Sequence, residues 1–147
     1  MVVAVCFGFV MAGVAVATDK GPETITMDSK VYATKAYPKH KKALVTLSHA
    51  KHNVDYKITC TECHHVYQDG KNVWKEGDEV QKCEACHSEA KAPKAKEGEP
   101  KLSKEEKIKK YHYSAIHENC KVCHKAAVKE GKVAPTKCTE CHPKAAK

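Results

Sequence analysis

Apolar residues are unevenly distributed along this chain of 147 residues. Residues 2–17 carry no charge and are almost wholly apolar, whereas residues 18–147 are mostly polar with short apolar clusters. The apolar run ends in Ala15-Val16-Ala17, a small-x-small cleavage signature, and is shorter than the roughly 18 residues that a membrane-spanning helix needs. The pattern therefore predicts a signal peptide over 1–17 and a mature domain over 18–147. An uncleaved N-terminal anchor is the alternative, because no basic residues precede the run.

Two short apolar clusters in the first third of the mature chain indicate β-structure. β-Branched and aromatic residues gather at 30–34 and 43–47, on either side of Tyr37-Pro38, which is a turn signal. This arrangement predicts a short two-stranded β-hairpin that leads into His49.

Helical periodicity appears in the second half of the chain. Ser103 and Glu106 have the spacing of a capping box, and Ile108, His112 and Ile116 share one helical face, so a helix is predicted over 104–117. A second helix is predicted over 121–130, ending at Gly131, and an exposed loop over 90–100. The fold class is therefore predicted to be mainly α, with much irregular loop and a short two-stranded β-hairpin.

The mature chain has too few large apolar residues to build an ordinary core. Leu, Ile, Val and Phe together make up 16 of residues 18–147, and the whole chain has a net charge of +8. A fraction well below about one fifth, with a high net charge, is typical of disordered chains. A compact fold then needs disulfides, a metal or a cofactor to supply what the side chains lack.

Every cysteine outside the leader belongs to one repeated motif. Four C-x-x-C-H segments occupy 60–64, 83–87, 120–124 and 138–142. This motif is the attachment signature of c-type haem, in which both thiols bond to the porphyrin and the adjacent histidine binds the iron. The cysteines concerned are Cys60, Cys63, Cys83, Cys86, Cys120, Cys123, Cys138 and Cys141, and the histidines are His64, His87, His124 and His142. The repetition predicts four haem c groups, which would form most of the core.

Zinc and disulfides are the competing interpretations of these cysteines. Cys63 and Cys83 enclose 19 residues, a spacing that suits a paired-knuckle zinc site. A four-cysteine zinc site does not require a histidine after each pair, however, and a disulfide scaffold leaves those histidines unexplained too. Haem accounts for all of them.

The remaining histidines can supply the second axial ligands. Six lie outside the motifs, and Met27 is the only methionine beyond the leader, so bis-histidine ligation of all four irons is the simplest solution. Methionine ligation raises haem potentials, so bis-histidine sites should have low ones. Six-coordinate iron also leaves no position for a small-molecule substrate, which argues against an enzyme.

At this point the chain resembles the class III c-type cytochromes, the tetrahaem cytochrome c-three family, from about residue 25 to the C-terminus. The resemblance rests on His49 and His52 before the first motif, the His64-His65 doublet, and His117 ahead of the third motif. It implies that His49 binds haem one, His65 haem two, His52 haem three and His117 haem four, opposite the motif histidines. His40 and His112 are left without iron.

The spacing within the motifs resembles one subgroup of that family. The second and fourth sites of the commonest pattern often have a longer spacing between the cysteines, whereas all four sites here have two intervening residues. This is similar to the type II subgroup, which is associated with membrane-bound periplasmic redox complexes. That subgroup is often acidic, and this chain is basic.

Charge narrows the class of partner. All 26 basic residues are lysine, and the absence of arginine argues against nucleic-acid recognition. Residues 88–137 have a net charge of +6, which makes the region flanking haems three and four a candidate docking face for an acidic redox protein. A generally soluble lysine surface is the alternative.

The combined prediction is an exported, periplasmic, low-potential electron-transfer protein, a monomer or weak oligomer. The resemblance implies that electrons pass between hydrogenase or another cytochrome and a membrane redox complex. Two alternatives remain, namely a multihaem reductase with one open-coordination haem and a subunit of a larger haem-bearing assembly.

Overall fold

The computed structural model describes residues 21–32 and 42–144. Short strands and tight helical turns fill the first half of this part, and helices dominate the second half. The strands are β1 (Ile25–Thr26), β2 (Thr46–Leu47), β3 (Tyr67–Gln68) and β4 (Lys71–Asn72), and the α-helices are α1 (Lys104–Lys110), α2 (His112–Lys129) and α3 (Cys138–Cys141). This agrees with the predicted class of helices, irregular loop and little β-structure.

The first antiparallel pair differs from the predicted hairpin in one strand. β1 pairs with β2, with Ile25 opposite Leu47 and Thr26 opposite Thr46. The predicted strand over 43–47 thus lies partly in β2. The predicted strand over 30–34 is wrong for its first three residues, because Lys30–Tyr32 forms a 3₁₀ turn, and residues 33–34 lie outside the described part. The Ser29 hydroxyl and the Lys30 amide both donate hydrogen bonds to the Glu84 carboxylate. Because Glu84 belongs to the second motif, these bonds hold the turn against that motif. The predicted turn at Tyr37-Pro38 lies outside the described residues.

The second antiparallel pair is a hairpin that the sequence analysis missed. Tyr67 of β3 pairs with Asn72 of β4, and Gln68 pairs with Lys71. The intervening Asp69 and Gly70 have φ values of 48° and 77°. Two central residues with positive φ are typical of a tight hairpin turn, for which Asp-Gly is a strong sequence signal. This hairpin directly follows the His64-His65 doublet.

The predicted helix over 104–117 is broken at Tyr111. Ser103 accepts a hydrogen bond from the Glu106 amide, and the Glu106 side chain accepts one from Ser103, which confirms the capping box. Tyr111 has extended backbone angles and pairs with Glu89, and the amide of His112 donates to the Glu89 carbonyl. Because this pairing replaces helical hydrogen bonds, α1 ends at Lys110 and a new helix starts at His112.

The helix α2 then continues through the boundary predicted between 117 and 121. It runs to Lys129 and ends where Gly131 adopts a φ of 79°. The amides of Gly131 and Lys132 donate to the carbonyls of Val128 and Ala127, which is the Schellman arrangement. The predicted end at Gly131 is therefore confirmed.

The described polypeptide has almost no core of its own. Within residues 21–32 and 42–144, Trp74 and Tyr111 are the buried hydrophobic side chains, each 8% exposed. Valines at 66, 80, 122, 128 and 133 are exposed. This apolar surface agrees with the shortage of core residues inferred from composition. None of the helices described is both long and apolar enough to cross a membrane.

Candidate functional site

All four C-x-x-C-H segments lie on helical turns. The first and second begin with 3₁₀ turns at Cys60–Glu62 and Cys83–Ala85, the third lies within α2, and the fourth begins with α3. In the first, second and fourth, the motif histidine's amide donates to the first cysteine's carbonyl at 2.8–2.9 Å. A helical turn places residues three apart on one side, so both thiols of a motif can face the same group.

The four motifs also lie near one another. Partial desolvation is the main cause that raises the pKa of the Cys63, Cys83 and Cys120 thiols. Electrostatic interactions with thiols of other motifs add to this effect at Cys120, where they include Cys63, Cys83 and Cys141. Thiols of the first, second and fourth motifs are therefore near enough to interact electrostatically with Cys120 of the third.

Eight histidines form four pairs of facing rings. Each pair combines the histidine of one C-x-x-C-H motif with a histidine from outside the motifs. The ring centroids are separated by 6.3 Å for His49 and His64, 6.0 Å for His65 and His87, 6.1 Å for His52 and His124, and 6.1 Å for His117 and His142.

This separation fits one metal ion between the two rings. A metal–imidazole bond is about 2.0 Å and the bonded nitrogen lies about 1.1 Å from the ring centre, so two rings on opposite sides of one ion have centres about 6.2 Å apart. The four pairs lie within 0.2 Å of this value. Imidazole pairs at this spacing, each with one ring that directly follows a C-x-x-C segment in the sequence, suit the iron of haem c.

Backbone carbonyls hold many of these rings in place. The Nδ1 atoms of His49, His52, His87, His117 and His124 lie 2.8–3.2 Å from the carbonyl oxygens of Pro22, Ser48, Lys109, Tyr113 and Pro135, respectively. Metal-binding histidines commonly donate one ring N–H to a carbonyl, which fixes the ring and leaves the other nitrogen for the metal. In these five residues Nε2 is the nitrogen left for a ligand bond.

Comparison with known proteins identifies the family of the chain. The model of the class III cytochrome c family matches residues 23–142. The chain belongs to this family. It is also 34% identical to cytochrome c3 from Desulfovibrio desulfuricans over 110 residues, which cover 70% of this chain and 81% of that protein. As a class III cytochrome, the chain is a multihaem electron-transfer protein that carries haem c.

The described part of this class III cytochrome does not form the competing sites. Within it, the eight motif cysteines are free thiols, and His, Cys, Asp and Glu side chains do not form clusters of three or more that could hold a metal ion. Neither the paired-knuckle zinc site nor a disulfide scaffold is assembled there.

Two of the facing histidines, His64 and His117, have lowered pKa values, which favours the neutral ring that can bind a metal ion. Desolvation is the main cause that lowers the pKa of His64, and the neighbouring His49 and His65 lower it further. Desolvation likewise lowers the pKa of His117, partly offset by its hydrogen bond to the Tyr113 carbonyl. Both rings are therefore neutral at pH 7, and the neutral imidazole is the form that binds metals.

His112, one of the two histidines left over, is not part of a facing pair among the described residues. His112 is buried, and its ring meets Tyr32 edge-on at 5.4 Å, with the Tyr32 hydroxyl 3.2 Å from Nδ1. Its ring contact is thus with a tyrosine, not with another histidine of a facing pair. His40 lies outside the described residues.

The cytochrome also has an aromatic side chain beside each histidine pair, which the sequence analysis missed. Tyr56 contacts His52, Tyr67 contacts His65, Tyr113 contacts His117 and Trp74 contacts His64, with ring centroids 4.1–5.9 Å apart. Tyr56 and Tyr113 lie four residues from their histidines in helical turns, a spacing that could have indicated these contacts. The Trp74 contact depends on the β3–β4 hairpin, which only the Asp69-Gly70 pair indicates.

Proposed function

We propose that this class III cytochrome carries four c-type haems, each attached through two cysteines and ligated by two histidines, and that it is a low-potential electron carrier. Each ligand set joins one motif to the histidine that faces it. The sets are Cys60, Cys63, His64 and His49 at site one, Cys83, Cys86, His87 and His65 at site two, Cys120, Cys123, His124 and His52 at site three, and Cys138, Cys141, His142 and His117 at site four.

The spacing of the facing histidine rings is the observation that carries the proposal. Each motif histidine has one partner from outside the motifs, at a distance that suits one shared iron. Adjacent His64 and His65 face different partners, which would hold sites one and two close together. His49 and His52 would likewise link sites one and three. Electrons could then pass between sites without any movement of the chain.

The chain's own groups set the chemistry of these sites. Haem c held by these residues would supply one-electron redox chemistry, with the electron coming from a donor that is oxidised and going to an acceptor that is reduced. The carbonyls at Nδ1 fix the ligand rings and raise the basicity of Nε2. Two imidazole ligands at each iron would leave no open position for a substrate, which favours electron transfer over a reductase. Without methionine ligands, the potentials should lie toward the negative end of the range of about 0.8 V that axial ligands span.

A lysine-rich groove beside site four is the proposed entry face for electrons. This groove of about 420 Å³ lies between α1 and α2. Its polar lining includes one acidic residue, Glu118, which pairs with Lys104, together with His117, Lys107, Lys121 and Lys125. Lysines are suited to steering an acidic partner over long range. We therefore expect acidic redox proteins to dock here. The partner class follows the family, namely hydrogenase or another cytochrome as donor and a membrane redox complex as acceptor, in the periplasm.

Spectroscopy of the haem-loaded protein tests this function. Ferric and ferrous spectra should be wholly low-spin, carbon monoxide should not bind the reduced protein, and a redox titration should give four low potentials. A high-spin fraction that binds carbon monoxide would instead indicate a reductase with an open haem. Sedimentation at assay concentration should give a monomer or a weak oligomer, and a large stable assembly would contradict a diffusing carrier.

A further inference from the structure

Trp74 is one of the two buried hydrophobic side chains among the described residues, and it contacts a facing histidine pair. It is 8% exposed, and its indole stacks on the His64 ring with centroids 4.9 Å apart and planes inclined by 30°. The indole nitrogen donates to the Glu79 carbonyl at 3.3 Å, which fixes the orientation of the indole. The His64 ring therefore packs against an indole whose own rotation is restricted by the hydrogen bond to Glu79.

The β3–β4 hairpin also holds the backbone of His64. The Asn72 side chain donates through Nδ2 to the His64 carbonyl at 3.1 Å, and its Oδ1 accepts from the amides of Val66 and Trp74 at 3.0 and 3.2 Å. The carbonyl of His64 is thus held by Asn72, the last residue of β4, and its ring is held by Trp74, two residues further along the chain. Rotation of this imidazole about its own side-chain bonds would push its edge into the indole.

Among the described residues, His64 is distinct from the other motif histidines in this respect. The other three aromatic contacts fall on the histidines from outside the motifs, namely His65, His52 and His117. At site one alone, the described aromatic contact is with the histidine of the attachment motif.

The relative orientation of the rings divides the four pairs into two classes. The ring planes are crossed at 65° for His49 and His64 and at 75° for His65 and His87. They are inclined by only 29° for His52 and His124 and for His117 and His142. Two d orbitals of a ferric haem iron overlap with the π orbitals of its imidazole ligands. When the two imidazole planes are near-parallel, these d orbitals differ clearly in energy, whereas crossed planes leave them almost equal in energy. Ferric haems of the two classes therefore differ in their electron paramagnetic resonance (EPR) spectra.

We propose that Trp74 is a positioning residue that holds His64 crossed to His49, so that site one is a low-spin haem with crossed axial ligands. The proposal rests on the ligand sets of the proposed function. It assigns sites one and two to the crossed class and sites three and four to the near-parallel class. The four haem sites would thus fall into two electronically distinct classes, although each has two histidine ligands.

EPR of the fully oxidised holoprotein tests this assignment. The wild type should give two broad signals with a large maximal g value, from crossed ligands, and two ordinary rhombic low-spin signals. In Trp74→Leu, one large-g signal should move toward the rhombic type, and the potential of one haem should change. Trp74→Phe, which keeps a stacking face, should retain the large-g signal. Asn72→Ala should give a smaller shift in the same direction, and it provides a second variant if Trp74→Leu does not fold.

Tyr111→Leu is the matched control, because Tyr111 is also 8% exposed and its described ring contact is with Lys110. It should lower thermal stability while leaving all four EPR signals unchanged. Unchanged EPR signals in Trp74→Leu and Asn72→Ala would overturn the role of Trp74, as would an equal change in Tyr111→Leu. Four rhombic signals in the wild type would overturn the assignment of crossed ligands and leave bis-histidine ligation intact. A high-spin signal would instead contradict the proposed function itself.

Discussion

The rings of His52 and His124 face each other with centroids 6.1 Å apart and planes inclined by 29°. His52 precedes the first C-x-x-C-H motif, whereas His124 ends the third. The Nδ1 atom of each lies 2.8 Å from a backbone carbonyl, that of Ser48 or of Pro135. A pair drawn from such distant parts of the chain, and oriented by the backbone on both sides, has the features of two ligands to one iron.

Replacement of His52 should open one haem of the four. In His52→Ala, site three should lose its second axial ligand, become high-spin in part and bind about one carbon monoxide per protein when reduced. In His52→Met, the potential of one haem should rise by on the order of 0.1 V, because thioether ligation favours the ferrous state. Carbon monoxide difference spectra and a redox titration provide the measurements.

His40→Ala is the control for these variants, because the sequence predicts that His40 does not bind iron. It should remain wholly low-spin. If His52→Ala bound no more carbon monoxide than His40→Ala, the assignment of His52 to site three would be wrong.

Loss of the Ser103 cap should weaken the helical half of the protein. Ser103 accepts a hydrogen bond from the Glu106 amide at 3.1 Å, and replacement of such an N-cap by alanine costs about 1 kcal/mol. Thermal unfolding of Ser103→Ala, followed by circular dichroism, should show this loss. Ser88→Ala, in an exposed irregular segment, is the control and should be nearly neutral. Equal stability of the two variants would contradict a stabilising cap.

Gly131 provides a test of backbone strain without a steric clash. Its φ is +79°, and a Cβ added there would meet nothing within 4 Å. Gly131→Ala should therefore destabilise the protein by about 1 kcal/mol through backbone conformation alone. Asparagine tolerates this conformation better, so Gly131→Asn should cost less. Denaturant unfolding would contradict the account if alanine were the better tolerated residue.

The hydrogen bonds that join Ser29 and Lys30 to Glu84 of the second motif should stabilise the protein in a pH-dependent way. Glu84 accepts hydrogen bonds from the Ser29 hydroxyl and the Lys30 amide, and the Ser29 bond is the main cause that lowers the Glu84 pKa. Because the folded pKa lies below the ordinary value of 4.5, the stabilisation is fully present above that pH and is lost as the pH falls through the folded pKa.

Thermal unfolding of wild type and Ser29→Ala at several pH values measures this effect. The wild type should be more stable at pH 7, and the difference should shrink once Glu84 is protonated in the folded protein. A difference that stayed constant down to pH 3 would show that Ser29 acts by some means other than Glu84.

The sequence predicted most of the local helical structure because its signals are local. The Ser103 and Glu106 pattern lies within one helical turn, and Gly131 ends α2 through its own backbone conformation. The break at Tyr111 could not be predicted in this way, because its cause is pairing with Glu89, more than twenty residues away. The pairing of Ile25 with Leu47 was missed for the same reason, since it is a contact between distant segments.

The candidate site also contains residues that local sequence patterns predict and residues that they do not. Repetition of C-x-x-C-H indicates the attachment cysteines and motif histidines from composition and spacing alone. The partners from outside the motifs came from a family resemblance, and no short-range pattern pairs His52 with His124. The stacking of Trp74 on His64 and the crossed or near-parallel ring planes depend on three-dimensional packing. The structure alone provides them.

The most direct measurement is the intact mass of the mature protein, purified from a host that attaches haem c. The expected mass is that of the chain from residue 18 onward plus four haems, all covalently bound under denaturing conditions. A colourless product, a mass with fewer haems, or retained zinc in their place would contradict the claim that four haem groups organise this polypeptide.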